Sequence, residues 1–209
     1  MTEDVLDARI IKVNKTYLVG RAEKYIKRSD KRVCTRCTER ACKSCAYKNI
    51  SYEYEATLKE EGVRRLFSTS ALEGISTAPV TVSPAEVRYR NKAQYPIAFI
   101  DGKHRVGFFA PKSHRVTAIA DCPLTPPVFS EICDELCRFF DEKNISVYDE
   151  ESGKGLLRHI YLRRGEISEE VLVTVVINGS ELPDESELVK KISESFTSVV
   201  GILVNVNRE

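Results

Sequence analysis

Four of the chain's seven cysteines fall within twelve residues, in Cys34-Thr35-Arg36-Cys37-Thr38-Glu39-Arg40-Ala41-Cys42-Lys43-Ser44-Cys45. A stretch this short cannot enclose a hydrophobic core, so either disulfides or a metal centre is expected to hold it. One grouping is Cys34-x2-Cys37-x4-Cys42-x2-Cys45, a four-thiolate set that zinc accepts in principle. Zinc ribbons, however, separate their two CxxC pairs by roughly 15–20 residues, which leaves this spacer cramped for a tetrahedron. The other grouping is Cys37-x4-Cys42-x2-Cys45 with a remote fourth cysteine, which is spacing of the iron–sulfur type. Cys122, in Asp121-Cys122-Pro123 at a strand end, is the remote candidate. Linking Cys45 to Cys122 closes a segment with 76 residues between them. The entropy of that closure is roughly 4 kcal/mol, so a cluster here is expected to be a staple between a basic arm and the domain behind it.

The 209-residue chain, 42% apolar and 30% charged, has the composition of a globular protein with one sizeable core. No apolar run approaches the roughly 20 residues that span a bilayer, which excludes a helical membrane protein. Met1-Thr2-Glu3-Asp4 carries no apolar signal core, so the expected location is cytoplasmic, where clustered cysteines read as ligands rather than disulfides. The net charge of +1 conceals an asymmetry. Residues 1–50 carry 13 Lys/Arg against 6 Asp/Glu, and residues 166–209 carry 3 against 9. A basic leading part suits a polyanion partner, with solvated surface as the alternative.

The elements that must position these groups follow from periodicity. Two alternating strands are expected at 8–13 and 17–22, turning at Asn14-Lys15. Seven Lys/Arg between Arg9 and Arg28 suit a phosphate-facing β surface. Ser51 can cap a helix to about Phe67, with Tyr52, Ala56, Val63, Leu66 and Phe67 on one stripe. Strands are expected from Glu86 to Ile100, from Arg105 to Ala110 after an Asp101-Gly102 hairpin turn, and from Val116 to Ala120. Residues 127–143 form an amphipathic helix whose stripe includes Cys133 and Cys137, which leaves both as small core hydrophobes. Strands at 156–163 and 171–177, a helix at 184–198 and a strand at 201–207 complete the pattern. Hairpins with interspersed helices indicate an α+β fold with a mostly antiparallel sheet and flanking helices.

Arg88, Arg90, Lys92, Arg158, Arg163 and Arg164 interleave with Tyr89, Tyr95 and Tyr161. That mixture can neutralise phosphates and stack bases, the way unpaired RNA is held, with a solvated sheet face as the alternative. His159 beside Arg158 can contact phosphate or make an interior hydrogen bond. Ser113-His114 has no acidic neighbour in sequence, which argues against a hydrolytic triad.

These residues resemble the RNA uracil-5-methyltransferase family, in its 4Fe–4S branch. The family's Cys, Cys-x-x-Cys and distant Cys-Pro map onto Cys37, Cys42, Cys45 and Cys122, with Lys43-Ser44 where the family has Gly-Gly. Further matches are Tyr89-Arg90-Asn91-Lys92-Ala93, Val106-Gly107-Phe108, Asp121-Cys122-Pro123-Leu124 and Ser152-Gly153-Lys154-Gly155-Leu156-Leu157-Arg158-His159-Ile160-Tyr161-Leu162-Arg163. The resemblance implies a partial TRAM, OB-like β segment at 1–32, a cluster loop at 33–50 and an α+β central domain at 51–209. It implies a 4Fe–4S cluster on Cys37, Cys42, Cys45 and Cys122, with Cys34 as a competitor and zinc as the alternative metal. It implies an rRNA or tRNA partner held by Arg88, Arg90, Lys92, Arg158, His159 and Arg163. The family's S-adenosylmethionine-binding Rossmann domain has no counterpart in these residues, so no catalytic residue is expected here and the chain alone is expected to be an inactive monomer. A non-catalytic zinc-binding nucleic-acid adaptor and a thiol redox sensor are the competing expectations.

Overall fold

A computed structural model describes residues 3–35, 37–39, 41–69, 71–72 and 74–208. Two compact units emerge, one of residues 1–36 with 47–82 and one of residues 37–46 with 83–209. These divisions differ from the expected boundaries at 32 and 50: the cysteine loop is split, and the helix after it joins the first unit.

In the first unit, β1 (Val5–Val13) pairs antiparallel with β2 (Leu18–Lys27) around a turn closed by Asn14 N–H to the Tyr17 carbonyl at 2.9 Å. The Asp4 carboxylate accepts from the Ser29 amide at 3.0 Å and from Arg32 Nε at 2.9 Å, which ties the base of the hairpin. Helix α1 (Tyr52–Ser68) starts where Ser51 Oγ accepts the Tyr54 amide at 3.2 Å, as a capping serine should. Its expected apolar stripe is not buried: none of its residues is inaccessible, and Leu66 is 69% exposed.

In the second unit, a six-stranded sheet runs in the order β5-β4-β3-β6-β7-β8. Its strands are β3 (Lys92–Ile100), β4 (Lys103–Phe109), β5 (Val116–Ala118), β6 (Leu157–Arg164), β7 (Val171–Ile177) and β8 (Val199–Val206). All neighbours are antiparallel except β7 and β8, which α3 (Glu185–Ser195) joins as a parallel crossover. The fold is therefore α+β and mostly antiparallel, with one βαβ unit that residue periodicity did not announce. Asp101 and Gly102 both take positive φ (52° and 75°), the mirror-image turn whose twist matches flanking strands.

Helix α2 (Pro127–Glu142) begins on a proline, whose missing N–H costs nothing at a helix start, and buries Phe129, Ile132, Cys133, Leu136, Cys137 and Phe140. These meet Tyr95, Ile97, Ile160, Leu162, Val173 and Val175 from one side of the sheet. Because side chains alternate along a strand, the inward set leaves Lys92, Gln94, His159, Tyr161, Arg163 and Thr174 on the opposite face. Gly107 of β4 lies so close to β5 that an added Cβ would meet the Thr117 carbonyl oxygen at 2.0 Å.

The expected strand from Glu86 begins only at Lys92. Arg88 takes a positive φ of 57°, and the amides of Arg88 and Arg90 donate to the carbonyls of Pro123 and Leu124 at 2.8 and 2.9 Å. Pro123 has no N–H to return the bond, so no reciprocal ladder can form despite the alternating Val87-Arg88-Tyr89-Arg90.

Candidate functional site

Cys37, Cys42, Cys45 and Cys122 all belong to the second unit, whereas Cys34 is exposed and belongs to the first. Among the described residues no disulfide joins any cysteine. Burial pushes the Cys45 thiol up, and it is pushed further by Cys122, Cys42 and Cys37, with Arg90 acting in the opposite sense. The three loop cysteines and Cys122 are thus electrostatic neighbours, joined by the fold rather than by sequence. Cys122 is also raised by burial, while the amides of Leu124 and Thr125 and the charge of Arg90 favour its thiolate. Backbone amides aimed at a sulfur are the support a ligand thiolate uses. Among the described residues no three His, Cys, Asp or Glu side chains converge closely enough to hold a single metal ion.

Arg88 organises the turn that carries Cys122. Its Nη1 donates to Asp121 Oδ1 at 3.0 Å, to the Cys122 carbonyl at 3.0 Å and to the Thr125 carbonyl at 2.7 Å, and its Nη2 donates to Asp121 Oδ2 at 2.6 Å. The guanidinium holds the Asp121 carboxyl below the usual carboxylate range. Arg88, expected to contact RNA, thus spends both of its Nη atoms on this turn. For Tyr95 the expectation is corrected. It is 3% exposed and hydrogen-bonded through its hydroxyl to Thr125 Oγ1 at 3.1 Å, so it supports the turn and cannot stack on a base.

Of the remaining expected RNA residues, Lys92, His159 and Arg163 share the sheet face away from the helices. Lys92 stands opposite Arg163, and Gln94 opposite Tyr161. Arg90, Lys92 and Arg163 are exposed. Arg158 lies 4.5 Å from the Tyr148 ring centroid and donates to the Asn207 carbonyl at 2.9 Å, so it also anchors the chain past β8. His159 is half-buried, and its imidazole is held toward the neutral form by burial and by Arg158.

Two groups were not foreseen. The acidic partner that sequence neighbours denied His114 is Glu150, whose carboxylate sits 2.6 Å from His114 Nδ1. Ser113 Oγ donates to the Ala110 carbonyl at 3.1 Å, away from any such relay. Phe109 lies between His114 and His159, with ring centroids 5.7 and 6.2 Å away. The Gly153-Lys154-Gly155 stretch is a tight turn: Gly155 has φ +97°, and an added Cβ would meet the Val147 carbonyl oxygen at 2.0 Å. Gly155 thus serves close backbone approach, while Gly153 supplies only a positive φ of 68° with nothing within 4 Å, and no strand-to-helix phosphate loop is formed there among the described residues. Cys133 and Cys137 are buried with thiols pushed up, Cys137 to about 12, which leaves them unreactive core groups.

No family model matches the chain. A protein of Clostridium tetani named as an uncharacterized RNA methyltransferase is 31% identical over 98% of this chain. One of Staphylococcus aureus with the same description is 31% identical over 99%. The crystal structure of Pyrococcus abyssi tRNA (uracil-54, C5)-methyltransferase with S-adenosyl-L-homocysteine superposes over 96% of the chain with a TM-score of 0.68 and 25% identity. The chain is similar in sequence to proteins named as RNA methyltransferases and in fold to a tRNA uracil-5-methyltransferase. It spans about half the length of these relatives, 45% and 46% of the two bacterial proteins and 44% of the archaeal chain. Within that family likeness, the matching strings all gain a structural role. Asp121-Cys122-Pro123 is the turn held by Arg88, and Ser152–Arg163 comprises the tight turn and most of β6. No helix among the described residues is long and apolar enough to cross a membrane.

Proposed function

We propose that this chain is the RNA-holding and 4Fe–4S-binding part of an S-adenosylmethionine-dependent RNA (uracil-5-)-methyltransferase acting on rRNA or tRNA. The observation that carries the reading is the gathering of Cys37, Cys42, Cys45 and Cys122 in one unit of a chain that aligns, over nearly its whole length, with about half of a protein named as an RNA methyltransferase. Zinc on the same four sulfurs is the alternative metal. A cubane takes one thiolate at each iron corner and so accepts a wider set of sulfurs. Cys37, Cys42, Cys45 and Cys122 would hold it, with the Leu124 and Thr125 amides and Arg90 compensating the charge of the thiolates.

Bound there, the cluster would supply a cross-link between the cysteine loop and the Cys122 turn. Arg90, Lys92, Arg158, His159 and Arg163 would hold RNA on the open sheet face, phosphates on the cations and bases on the rings. S-adenosylmethionine would supply the methyl group in the enzyme as a whole. Cys133 and Cys137 are inaccessible and the four gathered thiols would serve as ligands, so none of these six is assigned as a catalytic nucleophile.

Anaerobic purification with iron and sulfide analysis and visible absorbance tests the reading. Near four irons and four sulfides per chain are expected from the cluster type. Stoichiometric zinc without iron would instead favour a zinc-binding nucleic-acid adaptor.

A further inference from the structure

Phe109 ends β4 on the sheet face away from the helices and is 40% exposed. Its ring stands edge-to-face with His114 and with His159, at interplanar angles of 66° and 82°. His114 is oriented in turn by Glu150, so three rings from three separate segments meet at one end of the open face. Tyr161 lies on the same face one side-chain row further along β6, and Lys92 and Arg163 flank it. The strand positions of that row and the next, Lys92, Gln94, Tyr161, Arg163, Leu172 and Thr174, include two cations and no carboxylate. A lone exposed ring needs no explanation, but grouped rings beside cations match how unpaired RNA is held.

We propose that Phe109, with His114 and His159, is a stacking platform for an unpaired RNA base whose phosphates run along Lys92 and Arg163. The inference rests on the RNA reading above and narrows it to single-stranded RNA. Duplex RNA keeps its bases stacked inside and offers only phosphates and 2′-hydroxyls, for which the rings would be idle. The depressed proton affinity of His159 suits this role, since a neutral imidazole presents a flat π surface without competing for phosphate.

The test uses the full chain and a 2-aminopurine-bearing RNA strand of about 10 nucleotides, free or annealed to its complement. The expected result is tighter binding of the free strand, with quenching of the 2-aminopurine. Phe109→Ala and Phe109→Leu should each weaken free-strand affinity about tenfold and relieve the quenching. Duplex affinity and the salt dependence should not change, because no phosphate contact is lost. The leucine variant keeps apolar bulk, so an unchanged thermal melt there separates stacking from folding. Salt-dependent RNA binding that both variants leave intact would overturn the platform while sparing the RNA reading. An equal fall for free strand and duplex would overturn it too, as would self-association of the chain that Phe109→Ala abolishes. No RNA binding by the unaltered chain at low salt would overturn the RNA reading and the platform with it.

Discussion

Arg88 and Asp121 form a two-point ion pair, 3.0 and 2.6 Å, across the turn that presents Cys122. The same guanidinium takes the Cys122 and Thr125 carbonyls, so one side chain defines the turn's backbone as well as its charge. Arg88→Ala should therefore destabilise the second unit by about 1 kcal/mol, below the roughly 1.5–3 kcal/mol of charged hydrogen bonds, because both side chains stay partly open to screening. Urea denaturation at low and high salt would check it, with a smaller difference expected at high salt.

The pair also gives stability a direction with pH. Asp121 is held below its ordinary range when folded, so the unfolded chain binds the proton first. The stabilisation is complete above the unfolded carboxylate range and is lost as pH falls toward the folded value. Asp121→Asn should flatten this part of the acid limb in denaturation profiles and leave the neutral-to-alkaline limb parallel to that of the unaltered chain.

Cys122→Ser should abolish stable iron retention after anaerobic reconstitution, whereas Cys34→Ser should retain full iron and sulfide. Full metal content in the Cys122 variant would remove Cys122 from the ligand set. Loss of iron in the Cys34 variant would put Cys34 in place of Cys37.

Lys92→Gln and Arg163→Gln should each reduce the slope of log affinity against log salt by about 0.7 for a single-stranded RNA, the yield of one phosphate contact. Arg88→Gln should leave that slope unchanged, since its donors face Asp121 and two carbonyls. Affinity titrations across salt concentrations read both.

Gly155→Ala should be among the most damaging single changes, costing about 2–4 kcal/mol, because positive φ and a backbone clash coincide. Gly102→Ala is the contrast: it carries the positive φ alone, with nothing within 4 Å, and should cost about 1 kcal/mol. Thermal melts of the two variants side by side measure the difference.

Much of the second unit was legible because its signals are local. The 3.6-residue stripe of α2 put Cys133 and Cys137 in the core, and Asp101-Gly102 marked its hairpin, since both depend only on neighbouring residues. The cysteine spacing offered two groupings, Cys37, Cys42 and Cys45 with either the nearby Cys34 or the remote Cys122. Sequence alternation misled at Val87-Arg88-Tyr89-Arg90, where a proline across the gap denies the ladder its return bond. It misled again at Tyr95, because a period of two cannot say which face of a sheet the helices will cover. The partners of Arg88, the Glu150 carboxylate beside His114 and the ring group around Phe109 depend on strand register and turns tens of residues apart. Composition and local pattern thus determined the element types and the candidate cysteines. Only the tertiary structure decided which arginine clamps the Cys122 turn and which rings stay open, because those contacts exist only once distant strands have paired.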